Sequence, residues 1–152
     1  MAYFAELDSN NKVLTVVTAG DDMVANYGGD QSVDAANRFA KICPLSADGV
    51  RWMQTAQDGS FRKKYAGVRD KYDEAANVFY PAESYPSWTL DANFDWQPPV
   101  ARPSTEVESI NGQVVIFDWD EDNQKWSGYS YDDSNVRVNF NWNPATSAWD
   151  QV

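Results

Sequence analysis

Trp119-Asp120-Glu121-Asp122-Asn123-Gln124-Lys125-Trp126 places two tryptophans seven residues apart with a polar, acidic run between them. Trp142-Asn143-Pro144-Ala145-Thr146-Ser147-Ala148-Trp149 repeats the arrangement, and Tyr72-Asp73-Glu74-Ala75-Ala76-Asn77-Val78-Phe79 is an earlier copy. If residue i pairs with i+7 across an antiparallel hairpin, i+1 faces i+6 and the turn lies between them. Both aromatics then stand on one face of the sheet as a cross-strand pair. The spacing predicts small antiparallel sheets clamped by Tyr72/Phe79, Trp119/Trp126 and Trp142/Trp149. Leu7/Leu14 and Tyr131/Val138 keep the same spacing and are read in the same register.

Other segments support a mainly β chain with one short helix. Residues 2–19 read as a hairpin, with Asp8-Ser9-Asn10-Asn11 as turn residues that tolerate left-handed backbone. Gly20 to Asp30 reads as a loop. Ser32 is a helix cap for about residues 33–43, with Asp34 in the first turn and Pro44 after the last. Val33, Ala36, Phe39, Ala40 and Cys43 share one face of that helix, which marks Cys43 as a buried structural thiol. Residues 50–55 read as a strand, 57–60 as a turn, and Phe61 to Tyr65 as a strand pairing back. Residues 81–88 read as an irregular segment packed by Tyr85 and Trp88.

The stretch 97–105, QPPVARPST, carries three prolines and no periodicity, and reads as an extended linker. This gives a hairpin-rich N-terminal domain over 1–96, the linker, and an antiparallel aromatic meander of four or five strands over 106–152. A meander of that size buries little surface by itself and requires something to pack against.

Composition excludes several function classes. The chain holds seven Trp, eight Tyr and seven Phe, carries a net charge of −11, and has no His and one Cys. Without His there is no Ser-His-Asp or Cys-His site, and no phosphate-binding Gly-rich loop is present. One cysteine allows neither an intrachain disulfide nor a cysteine zinc site, which suits synthesis in a reducing cytoplasm. The acidic balance disfavours nucleic acid and anionic membranes as partners. The N-terminus lacks the pattern of a signal peptide, and no apolar run has the length of a membrane span.

Three features bear on sites. Asp118, Asp120 and Asp122 alternate, yet an EF-hand loop starting at Asp118 requires Gly and Glu where Asn123 and Tyr129 stand, so they read as a solvated face and turn. Arg62, Lys63, Lys64, Arg69 and Lys71 concentrate five of the twelve basic residues into ten positions. That cluster, with Tyr85 and Trp88, is the candidate interface for an acidic neighbour, including another copy of the chain. Exposed Trp rings would also suit stacking on a glycan, although the hairpin spacing favours rings packed on each other. No residue is assigned to catalysis, to a cofactor or to a metal.

Several ordered motifs resemble a known family: MAYFAELDSNNKVL; Trp52-Met53-Gln54-Thr55; Gly59-Ser60-Phe61-Arg62-Lys63-Lys64-Tyr65-Ala66-Gly67; Tyr72-Asp73; and Tyr85-Pro86-Ser87-Trp88-Thr89-Leu90-Asp91. Over roughly residues 1–96 the chain resembles small virion structural proteins of marine tailed phages, notably cyanophages. The resemblance implies a particle component made in the host cytoplasm and located in the virion. It implies a non-enzyme that binds other capsid or tail subunits. An accessory capsid decoration or cement protein is the expectation; a tail- or fibre-associated protein and a glycan-binding module are the alternatives.

Overall fold

The computed structural model describes residues 1–152 and is mainly β, with two helices and several small antiparallel sheets. The chain divides into two compact units, Met1–Ala82 and Glu83–Val152.

In the first unit, β1 (Ala2–Asp8) runs between β2 (Val13–Ala19) and β3 (Gly49–Thr55), both antiparallel to it. Strand alternation sends Ala2, Phe4 and Trp52 to one face, where they meet Val24, Ala35 and Phe39 from the two helices. Phe39 stacks on Phe4 at 4.6 Å and meets the Trp52 ring edge-on at 5.0 Å. The opposite face carries Ala5, Leu7 and Val13, covered by Ala66, Tyr72 and Phe79. Tyr72 and Phe79 belong to the two-stranded ribbon of β4 (Lys71–Asp73) and β5 (Val78–Tyr80). Glu6 is buried, and its carboxylate accepts the Ser46 N–H. Gly49 makes room for it, since a Cβ there would collide with the Glu6 carboxylate.

The stretch read as a loop from Gly20 to Asp30 contains α1 (Asp21–Asn26), so there are two helices where the sequence suggested one. Its Gly20 N-cap offers no side-chain cap, and six residues carry too little periodicity to register. Tertiary burial of Val24 holds it. The second helix, α2 (Val33–Ile42), starts as expected: Ser32 Oγ accepts from Asp34 N at 3.1 Å and Ala35 N at 3.4 Å. Cys43 caps its end half-buried, against the core side of α2. Phe61 to Tyr65 is not a strand. Arg62 and Lys63 sit at φ 55° and 69°, which breaks any ladder at that point.

The second unit is built on the meander β8 (Ile116–Asp120), β9 (Lys125–Tyr131), β10 (Arg137–Asn143) and β11 (Ala148–Gln151), in the order β11-β10-β9-β8. Before it comes a short ribbon, β6 (Thr89–Leu90) with β7 (Trp96–Gln97). The boundary between units lies at Ala82/Glu83, upstream of the Pro-rich stretch read as a linker. Tyr85, Trp88, Val100 and Val107 cover the sheet face that carries Trp119, Trp126, Phe140 and Trp149. The Trp126 indole N–H donates to Val100 O at 2.9 Å, and Pro103 is buried. Segment 97–105 is therefore part of the core cover. An apolar sheet face without such a cover would remain in water, and the residues just before the sheet supply it.

The hairpins form two families set by loop length. In the first, Asp73↔Val78, Asp120↔Lys125 and Asn143↔Ala148 close four-residue loops. The aromatics one step out then pair as read: Tyr72↔Phe79, Trp119↔Trp126 and Trp142↔Trp149. The last loop residue is left-handed each time, Asn77 at φ 55°, Gln124 at 48° and Ser147 at 52°. The Asp or Asn before the loop accepts a loop N–H, from Ala76 at 2.8 Å, Asn123 at 3.1 Å and Ala145 at 3.1 Å.

In the second family three residues form the loop. The first residue's N–H donates to the fifth residue's C=O: Asp8 to Lys12, Asp91 to Asp95, Ser109 to Gln113 and Asp132 to Val136, at 2.8–3.0 Å. The residue before the fifth is left-handed, namely Asn11, Phe94, Gly112 and Asn135. The flanking pairs are then one residue closer in sequence, Leu7↔Val13 and Tyr131↔Arg137. This corrects the Leu7/Leu14 and Tyr131/Val138 pairings. Asp8 and Asp132 each accept two N–H groups on one carboxylate oxygen, one from the loop and one from the residue that follows it, which draws the turn closed.

Candidate binding surfaces

The basic cluster divides into internal and exposed members. The Arg62 guanidinium donates to Gln54 O at 2.5 Å and to Asn77 Oδ1 at 2.9 Å. Burial lowers its pKa from the ordinary value. Lys64 Nζ lies 2.5 Å from the buried Asp70 carboxylate, which also accepts the Gly67 N–H at 2.8 Å. Arg62 thus fastens the irregular segment 61–70 to the sheet, while Lys64 and Asp70 close that segment on itself. Lys63, Arg69 and Lys71 are exposed. The Arg69 backbone is left-handed, at φ 78°.

Tyr85 and Trp88 pack inside the second unit. Their rings lie 5.2 Å apart, and Trp88 meets Trp119 and Trp126 edge-on at 6.2 and 6.0 Å. Tyr85 donates its hydroxyl to Asp118 at 3.0 Å, and that bond raises the phenol's pKa. Glu121 accepts from Ser87 N at 2.9 Å, Ser87 Oγ at 2.7 Å and Trp119 Nε1 at 2.7 Å. The Ser87 hydroxyl is the largest cause holding that carboxyl below its ordinary value of 4.5. One loop carboxylate therefore pins the cover segment to the sheet.

Of the clamp tryptophans, Trp119, Trp126 and Trp149 are buried and Trp142 is half-buried. Their faces are occupied by each other: Trp119–Trp126 and Trp142–Trp149 both lie at 5.2 Å. The open face of the meander mixes polar groups with Ile116, Tyr129 and Tyr131. Asp118, Ser127, Asn141 and Asp150 align across its four strands, and Arg137 covers the Tyr129 ring at 4.0 Å. Asp118 and Asp120 thus lie on this open face, and Asp122 in the adjoining loop.

A groove that sequence reading did not find lies between α2 and β3 in the first unit. It encloses about 360 Å³, with Val33, Ala36 and Ala40 on the helix side and Val50 and Trp52 on the strand side. Val33 and Val50 stand 73% and 53% exposed. The sequence signal was the pair Ala36 and Ala40: on an otherwise amphipathic face, small side chains leave space that larger ones would fill. No cluster of three or more acidic or thiol groups has a geometry that would hold a metal ion. No helix is long and apolar enough to cross a membrane.

Comparison of the chain with protein-family models, curated proteins and solved structures returns no match.

Proposed function

We propose that this protein is a structural component of a tailed-phage particle, an accessory subunit that decorates or cements the head shell by docking on neighbouring subunits. One observation carries the docking part of the reading: the apolar groove between α2 and β3, with Val33 and Val50 left in water on its two walls. Clustered exposed aliphatics beside a concave surface mark contact sites. The exposed Lys63, Arg69 and Lys71 support it, because on a chain of net charge −11 they offer an attractive patch to an acidic neighbour. The resemblance of the ordered motifs to those of marine phage virion proteins is what points to a particle. Synthesis in the host cytoplasm followed by incorporation into the virion belongs to the same proposal.

A tail or fibre position differs from a head position in stoichiometry. Quantitative mass spectrometry of purified particles is expected to count hundreds of copies per virion. A count of roughly six to twenty, as closed rings at a tail require, would move the protein to the tail. Absence from particles would sink both positions. No observation favours the glycan reading, since the rings it relied on face each other in the core.

A further inference from the structure

We propose that the outer edge of β2 pairs with the same edge of a second copy of this chain. The pairing is antiparallel about a two-fold axis at Val17 and joins two three-stranded sheets into one. It goes beyond the virion reading and does not depend on it, since the edge and the charges beside it belong to the first unit alone.

The direction of the backbone groups follows from β1, which has a strand on each side. In an antiparallel pair, a residue either exchanges hydrogen bonds with its partner or points its N–H and C=O the other way. Gln54 O accepts from Arg62 outside the β1–β3 ladder, so Gln54 points away from β1. Phe4, opposite Gln54, therefore bonds on its other side, to Val17 of β2. Val16 and Thr18 flank Val17 and point outward. Val13 also points outward, but there the edge is covered: its N–H donates to Asp70 O at 2.8 Å and its C=O accepts from Arg69 N at 2.9 Å. Leu14 is the unpaired residue of a bulge between Leu7↔Val13 and Glu6↔Thr15. Beyond it the ladder is regular to Ala19, and no other segment bonds to Val16 or Thr18. Two N–H and two C=O groups thus stand open, on a half-buried Val16 and an exposed Thr18. Open edges of this kind template strand addition.

Nothing in the strand guards it against pairing. Leu14 to Ala19 reads Leu-Thr-Val-Val-Thr-Ala, without charge, proline or glycine. The other edges of the two larger sheets, β3, β8 and β11, carry Arg51, Asp118 with Asp120, and Asp150.

Charge selects a second copy as the occupant. At the start of the open stretch stand Lys12, Arg69 and Lys71, all exposed and none in an ion pair. At its end stand Asp21 and Asp22, both exposed; Asp21 holds the Met1 ammonium and Asp22 holds no cation. An antiparallel copy brings the acidic end of each strand to the basic end of the other, twice by symmetry. Placing Val17 opposite Val17 sets Val16 opposite Thr18 in both directions, which makes two hydrogen-bonded pairs. A shift of two residues either way leaves one, because Leu14 is bulged and Gly20 O already accepts from Met23 N. In the proposed register the copy's strand ends where Arg69 and Asp70 begin to cover Val13, and Asp22 of each copy meets Arg69 of the other.

The test is sedimentation velocity of the full-length protein from micromolar to millimolar concentration, with amide hydrogen exchange by NMR over the same range. Salt at about 0.15 M screens the net charge beyond about 8 Å and leaves contacting pairs in force. Dimers are expected, with the Val16 and Thr18 amides gaining protection as they form. Thr18→Pro deletes an outward N–H at an exposed edge position and keeps the ladder to β1; it should weaken the dimer at least tenfold. Asp22→Lys and Arg69→Glu each place like charges together twice in a homodimer and should also weaken it at least tenfold. Mixed in equal amounts, these two variants set the new lysine against the new glutamate at one contact and keep Asp22 with Arg69 at the other. The mixture should therefore dimerise about as well as the wild type, a recovery that also shows both variants folded. A wild-type chain monomeric at millimolar concentration would overturn the proposal. So would a dimer that leaves the Val16 and Thr18 amides unprotected, or a mixture no tighter than either variant alone. Protection of these amides only inside purified particles would replace the second copy with another virion protein.

Discussion

Trp126→Ala tests whether the clamp rings hold the second unit together. Trp126 is buried, touches the Trp88, Trp119 and Phe117 rings, and donates to Val100 O. A tryptophan of this kind removes about 200 Å² from water, worth about 5 kcal/mol at about 25 cal/mol per Å². Truncations of buried aromatics to alanine cost about 3–5 kcal/mol, and the stranded Val100 carbonyl adds about 1 kcal/mol. A unit the size of Glu83–Val152 has a total stability of only about 4–10 kcal/mol. Trp126→Ala should therefore leave the second unit largely or wholly unfolded. Trp142→Ala, at a half-buried ring with Trp149 as its ring partner at 5.2 Å, should cost about 2 kcal/mol by half the buried area. Hydrogen exchange read by mass spectrometry separates the two units peptide by peptide. The expected result is lost protection across β8–β11 in Trp126→Ala, with β1–β3 unchanged, and a smaller loss in Trp142→Ala. Equal losses in the two variants would refute the burial argument, and parallel loss in β1–β3 would refute the independence of the two units.

Further outcomes follow from individual positions. Gln124→Gly relieves a side chain held at φ 48° and should raise the second unit's unfolding free energy, read by urea titration, by about 1 kcal/mol. Gly128→Ala places a Cβ 2.5 Å from Ile116 O and should cost about 1–3 kcal/mol in the same experiment. Glu121 has its folded pKa below the ordinary value, so its stabilising effect is full above that value of 4.5 and disappears as pH falls through the folded pKa. Glu121→Gln should flatten the acid limb of the second unit's stability profile, and an unchanged limb would show that the Ser87 contacts contribute nothing. Asp120 carries a lowered pKa through Asn123 and should keep part of that limb in the variant.

Local features were legible in the sequence. Ser32 caps α2 where expected, and the three seven-residue ring pairs form in the register read from their spacing. The misread pairs differ from these by a single loop residue. Asp8 and Asp132 each bind one loop N–H and the N–H of the residue after the loop and close three-residue loops, whereas Asp73, Asp120 and Asn143 close four-residue ones. Both kinds begin with a short polar residue, Asp, Asn or Ser, and end in a left-handed residue, so composition alone does not separate them. The groove went unread for a different reason: its walls come from α2 and β3, and a void between elements has no residue of its own.

The sequence alone determined a mainly β chain of ring-clamped hairpins with a capped helix, because turns, caps and cross-strand pairs are decided within a few residues. Only the tertiary structure decided how charges and proline-rich segments are used. Arg62 fastens an irregular segment to the sheet and Lys64 closes that segment through Asp70, instead of forming one patch with Lys63, Arg69 and Lys71. Residues 83–105 cover the meander instead of linking to it, since an apolar sheet face draws in the nearest chain that can exclude water. The groove between α2 and β3 likewise exists only after folding, when Val33, Ala36 and Ala40 come to face Val50 and Trp52.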